Sequence, residues 1–161
     1  MGEKKESHFA RVAEREEEKR GEEVKITEEM EEVFAKAGIW AIATATEEGI
    51  PNVVPMSFVK VLSKNQLMLV DNFLKKTRTN LLTNPNIAVS VWDAETNKGY
   101  QFKGKARFET SGEIFDAGVE MVRQKSDKLE AQAAVVINVE EIFVTTPGPD
   151  AGKRVSGAAG W

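Results

Sequence analysis

The chain contains no cysteine. That absence removes disulfides, thiolate metal sites, iron–sulfur clusters, a cysteine nucleophile and any thioether link to a cofactor. Histidine is almost absent: the single one, His8, lies in a charged leading segment and reads as a solvated residue. A zinc site would need a cage of carboxylates, and no clustered spacing offers one. A Ser-His-Asp arrangement fails because its only base would sit in that tail. No apolar run is long enough to span a bilayer, and the opening MGEKKESHFARVAEREEEKR has no apolar signal-peptide core. Neither charge sign dominates: 22 Lys and Arg face 26 Asp and Glu, for a net charge of −4. Global attraction to nucleic acid is therefore missing, and any anion site has to be local. There is no GxGxxG and no Walker-type loop, so neither a Rossmann nor a P-loop phosphate site is available. These absences predict a soluble cytoplasmic protein with no nucleic-acid or membrane partner.

What is present is enough chain for one domain, 161 residues. Residues 1–25 are rich in Glu, Lys and Arg, with Phe9, Val12 and Ala13 at weak helical spacing, and read as a solvated helix or tail. Residues 26–146 carry the periodic patterns of a folded domain. Residues 147–161 are a Gly-, Ala- and Pro-rich tail whose one packing residue is Trp161.

Inside the domain a helix is predicted over 27–37, with Thr27 as N-cap and Met30, Val33, Phe34 and Ala37 on one face. The period then changes to two. Ile39–Thr46 reads as a buried strand containing Trp40, which is expected in the core. Residues 51–62 read as a second strand whose Pro55 marks an edge or a bulge, and 67–70 as a third. Residues 71–85 read as a loop followed by a short helix that Pro85 ends. Strands at 87–92 and 100–108 come next, the latter with Tyr100, Phe102, Ala106 and Phe108 facing in. A helix over 112–126 and a last strand over 133–144, broken near Glu140–Glu141, complete the set. The expected class is mainly β with α (α+β): a six-stranded antiparallel barrel with flanking helices.

Lys75-Lys76-Thr77-Arg78 carries the most chemistry. Cations at the start of a helix oppose its dipole, by roughly 0.3–1 kcal/mol each. One reading is a phosphate held by backbone N–H groups, a lysine and the Thr77 hydroxyl. The other is a solvated basic turn paired with nearby carboxylates. Lys76 and Thr77 are both expected on an exposed first turn.

The order AIATATEEGIPNVVPMSFVKV, LMLVDNFLKKTRTNLLTNPNIAVSVW, GYQFKGKARF resembles the FMN-binding split-barrel family related to pyridoxamine 5′-phosphate oxidase, and within it the short prokaryotic FMN-binding proteins. The resemblance covers about residues 30–145. It implies a phosphate held by Lys76 and Thr77, with Lys75 or Arg78 assisting. It implies that Val53, Val54, Pro55, Met56 and Ser57 run along the isoalloxazine and ribityl, largely through backbone groups. Val70, Asp71, Asn72 and Phe73 would pass beneath the flavin. It also implies a homodimer with FMN at the interface and an unknown redox partner. Two departures argue against oxidation of vitamin B6. The second strand has no arginine or lysine before Lys60, and the late basic pair Lys153-Arg154 has no histidine beside it. Where some relatives stack a partner's aromatic residue on the flavin, the nearest positions are Leu129 and Glu130; Trp161 or Phe143 are the substitutes. No side chain stands out as acid, base or nucleophile, so the expected function is an FMN-dependent oxidoreductase or electron carrier. The alternatives are a deazaflavin or haem in the same fold, or a non-enzymatic flavin-binding module.

Overall fold

The computed structural model describes residue 11 and residues 24–156; the readings for His8, Phe9, Val12, Ala13 and Trp161 lie outside them. Residues 24–156 form three helices, α1 (Glu28–Ala37), α2 (Lys76–Thr83) and α3 (Glu113–Lys125). Eight strands accompany them: β1 (Trp40–Ala45), β2 (Pro51–Met56), β3 (Val59–Ser63), β4 (Gln66–Asp71), β5 (Asn86–Trp92), β6 (Gly99–Glu109), β7 (Ala133–Val144) and β8 (Arg154–Ser156). The predicted class is correct. Two strands separate the count from the six expected: residues 51–62 split at Ser57–Phe58, and β8 adds to β7 from the tail. Among the described residues, no helix is long and apolar enough to cross a membrane.

Every strand pair is antiparallel, and the order is β2-β1-β5-β6-β7-β4-β3. The two ends of this path, β2 and β3, are consecutive in sequence and joined by Ser57 and Phe58 alone. A sheet whose first and last strands share a two-residue corner has to curl until they meet, which makes it a split barrel. The Phe58 carbonyl accepts from the Val70 N–H at 2.9 Å, tying the corner to β4. Pro55 stands on β2, an edge strand, opposite Ala41, where a missing N–H costs no ladder bond.

The barrel interior is filled by side chains of alternate strand positions: Ile42, Leu67, Leu69, Val89, Phe102, Val135, Ile137 and Ile142 are all buried. Helix α1 caps one end. Thr27 Oγ1 accepts from the Met30 N–H at 3.3 Å, and Met30, Val33 and Phe34 face the core. Phe34 packs on Trp40 and Phe102 at centroid distances of 4.4 and 4.7 Å. Helix α3 lies outside the barrel on β4 and β7. Gly118 lets it approach, since a Cβ there would stand 3.3 Å from Val70 Cγ2.

Strand β7 is unbroken, but a bulge falls where a break was expected. Lys103 pairs with Glu141 and Gly104 with Val139, so Glu140 is the extra residue. Gly104 is required there, because a Cβ would stand 2.0 Å from the Asn138 carbonyl oxygen. At the β5–β6 turn, Asp93 Oδ2 accepts from Thr96 Oγ1 at 2.7 Å and Oδ1 from the Glu95 N–H at 3.0 Å. Trp92, beside this turn, is exposed.

Candidate functional site

A filled barrel leaves a ligand no room inside, so a site must lie on its wall or along its seam. A cavity of about 400 Å³ opens at the corner where β2 passes into β3, within the size range of small-molecule sites. It is lined by Val54, Pro55, Met56, Ser57, Phe58, Val70, Asn72, Phe73, Leu74, Lys75, Lys76, Thr77 and Leu129. Ten of the thirteen residues singled out from sequence thus share one cavity. Three do not. Val53 points the other way on β2 and is 68 % exposed, as the strand's two-residue period dictates. Asp71 and Arg78 bind each other instead: Arg78 Nε lies 3.4 Å from Asp71 Oδ2.

The local fold follows from the sequence DNFLKK. Asp71 Oδ1 accepts from the Leu74 N–H at 2.9 Å, an Asx-type turn that swings the chain from β4 toward α2. The helix then starts at Lys76 without a side-chain cap and with no acidic residue in its first turn. Its leading N–H groups have no intrahelical partner, and Lys75 and Lys76 add charge of the same sign as the dipole end. Among the described residues no ion pair involves either lysine, and the cavity lining contains no carboxylate. The pairing with nearby carboxylates, one of the two readings of this turn, holds only for Arg78. Its guanidinium also donates to Gln132 Oε1 at 3.2 Å and sits 5.5 Å from the Phe108 ring centroid.

Thr77 is not on an exposed turn. It is 2 % exposed and its Oγ1 accepts from Asn52 Nδ2 at 3.1 Å. Asn80 Nδ2 donates to Thr44 Oγ1 at 3.0 Å, so α2 is moored to β1 and β2 by side-chain amides and hydroxyls. Sequence reasoning missed Asn52. Its signal was an amide at an inward position of an otherwise apolar strand.

Asn72 is 6 % exposed and its Oδ1 has no hydrogen-bond partner. A buried amide oxygen left unpaired costs about 1–3 kcal/mol, and here it belongs to a residue of the cavity wall. Phe73, on the same wall, is 70 % exposed. The arrangement combines an apolar slot (Val54, Met56, Phe58, Val70, Leu129) with a basic, donor-rich end at the α2 N-terminus. Such a site suits a flat aromatic body carrying one phosphate. Leu129 lines it where an aromatic residue was considered, while Phe143 lies elsewhere, on β7 beneath Lys103 Nζ.

The family model for pyridoxamine 5′-phosphate oxidase matches residues 26–146. The chain belongs to this family. An uncharacterised protein of Methanocaldococcus jannaschii is 37 % identical over 135 residues, which cover 83 % of this chain and 89 % of that one. Among solved structures, the HupZ protein of Group A Streptococcus is 28 % identical with a TM-score of 0.70, covering 79 % of this chain and 99 % of HupZ. An FMN-binding protein from Syntrophomonas wolfei shares the fold at 13 % identity and a TM-score of 0.61, with coverages of 84 % and 96 %. An F420 reductase and HutZ, the haem storage protein of Vibrio cholerae, share it as well, each with a TM-score of 0.58. The same fold thus occurs in proteins named for FMN, F420 and haem.

Proposed function

We propose that this chain is an FMN-binding flavoprotein, an oxidoreductase or electron carrier that works as a cytoplasmic homodimer. One observation carries the reading: the seam cavity joins an apolar slot to an uncapped helix N-terminus bearing two lysines without ion pairs. Lys75, Lys76 and the leading N–H groups of α2 would hold the phosphate. Val54, Met56 and Val70 would pack the ring, and the Asn72 carboxamide offers an unpaired oxygen to a ring or ribityl donor. Bound FMN supplies hydride or single-electron transfer. The chain's own part is to bind, orient and shield, for among the described residues the cavity wall holds no carboxylate, histidine or tyrosine to act as acid or base.

The lining also bears on the alternatives. Haem iron takes His, Cys, Met or Tyr ligands, and among the described residues Met56 is the one such residue of the wall. A deazaflavin shares the ring and the phosphate and is an outcome of the test. The second strand's lack of an arginine or lysine before Lys60, and the lack of a histidine beside Lys153-Arg154, speak against vitamin B6 as substrate. The dimer is favoured by exposure: Phe73 at the cavity mouth and Val53 on the next face of β2 leave apolar surface that a second copy would cover. The purified protein should be yellow, and acid should release FMN, identified by chromatography. FAD, a Soret band or a deazaflavin spectrum would overturn the FMN assignment.

A further inference from the structure

A second, larger cavity of about 770 Å³ lies across the Leu74–Lys76 segment from the first. The two share that segment as a wall, so Lys75 and Lys76 face both. The second cavity adds Arg78, and again no Asp or Glu lines it among the described residues. Its other polar groups are neutral, chief among them Asn52, Asn80 and Gln132. Arg78 is fixed in place by Asp71, Gln132 and the Phe108 ring, and Asn52 and Asn80 are held by Thr77 and Thr44. Two exposed lysines beside an Arg78 already held by Asp71, with amides fixed in place around them, leave this wall net positive and suited to negative charge. A cofactor held in the first cavity would leave this one open.

We propose that the second cavity is an anion subsite, taking a small phosphate- or carboxylate-bearing molecule alongside the cofactor phosphate. Arg78 supplies the planar fork that matches either group, and the amides of Asn52 and Gln132 complete the shell. The subsite gives a role to the arginine of the KKTR segment that the first cavity does not use. The proposal rests on the cofactor phosphate occupying the first cavity.

Calorimetric titration of the FMN-loaded full chain with inorganic pyrophosphate, and separately with citrate, tests it. One ion should bind per chain with the flavin spectrum retained. Binding of pyrophosphate alone assigns a phosphate ester, and of citrate alone a carboxylate. Gln132 is exposed and outside the first cavity, so Q132E should lower the affinity at least about tenfold. Q132K should raise it, and neither should change FMN affinity. Three results would overturn the subsite: no binding of either ion at millimolar concentration, release of FMN mole for mole, or equal affinity in both variants. If the chain takes up no FMN, the same titrations on the ligand-free chain and its variants still decide the subsite.

Discussion

Lys75 and Lys76 stand at the first turn of α2 with no carboxylate facing them in either cavity. Removing both should lower FMN affinity at least about tenfold, since a hydrogen bond to a charged group contributes about 1.5–3 kcal/mol. The melting temperature of the ligand-free protein should hold or rise, because two cations leave the positive end of a dipole. Thr77→Ala should behave differently. It strips a buried acceptor from Asn52, so calorimetry should show a loss of about 1–3 kcal/mol in stability with or without flavin. The residue types of the basic turn were legible in sequence. The burial of Thr77 was not, because it depends on an amide supplied by β2. Asp93 makes a separate prediction. Hydrogen bonds from Thr96 Oγ1 and the Glu95 N–H, together with Lys36, hold its carboxyl below the usual carboxylate value. A depressed folded-state pKa stabilises the fold above the ordinary value, and the contribution disappears as pH falls through the folded-state value. Urea midpoints of the wild type and Asp93→Ala should therefore differ at neutral pH and converge in acid.

Secondary elements obeyed their local patterns wherever a pattern was strong. The alternation of Tyr100 to Phe108 placed β6 correctly, and Thr27 capped α1 as its position implied. The failures share a cause. Residues 51–62 are mostly apolar, and Pro55 marks an edge or bulge without fixing the corner at Ser57–Phe58; barrel closure imposes it. Strand β8 is three residues long and exists because β7 offers it an edge. At Glu140 the expected break is a bulge, a distinction decided by the neighbouring strand. That bulge makes Gly104 the more constrained of the two glycines in β6. Gly104→Ala would drive a methyl into backbone atoms of Asn138 and Val139, and a loss of roughly 1–3 kcal/mol or more is expected in denaturant unfolding. Gly49→Ala, in an open turn with nothing within 4 Å but with φ at +87°, isolates the cost of backbone strain as a comparison.

At the scale of the molecule, the fold class and most of the site could be read because both lie on strands and turns that are consecutive in sequence. Their meeting point came from the family resemblance and not from the residue pattern, because only closure brings β2, the end of β4 and the start of α2 to one cavity. Subunit assembly is the expectation that follows from the apolar surface at the cavity mouth, and sedimentation equilibrium of the flavin-loaded protein at micromolar concentration should give a dimer. A monomer holding FMN stoichiometrically would replace the shared site with a self-contained one. The corner at Ser57–Phe58 has a further consequence for how the molecule opens. A closed ladder would spread any fluctuation around its whole circumference, whereas this sheet has a built-in slit between β2 and β3. Local unfolding should begin at that slit, with these two strands peeling before the buried ladder of β6 and β7. A molecule lodged in the cavity touches β2, the corner and the end of β4, the strand on which β3 is laid, and acts as a clasp. Amide hydrogens of β2 and β3 should then exchange markedly more slowly in the flavin-loaded protein, while those of β6 and β7 should slow only to the extent that global stability rises. On this account occupancy of the site is also the lock on the barrel.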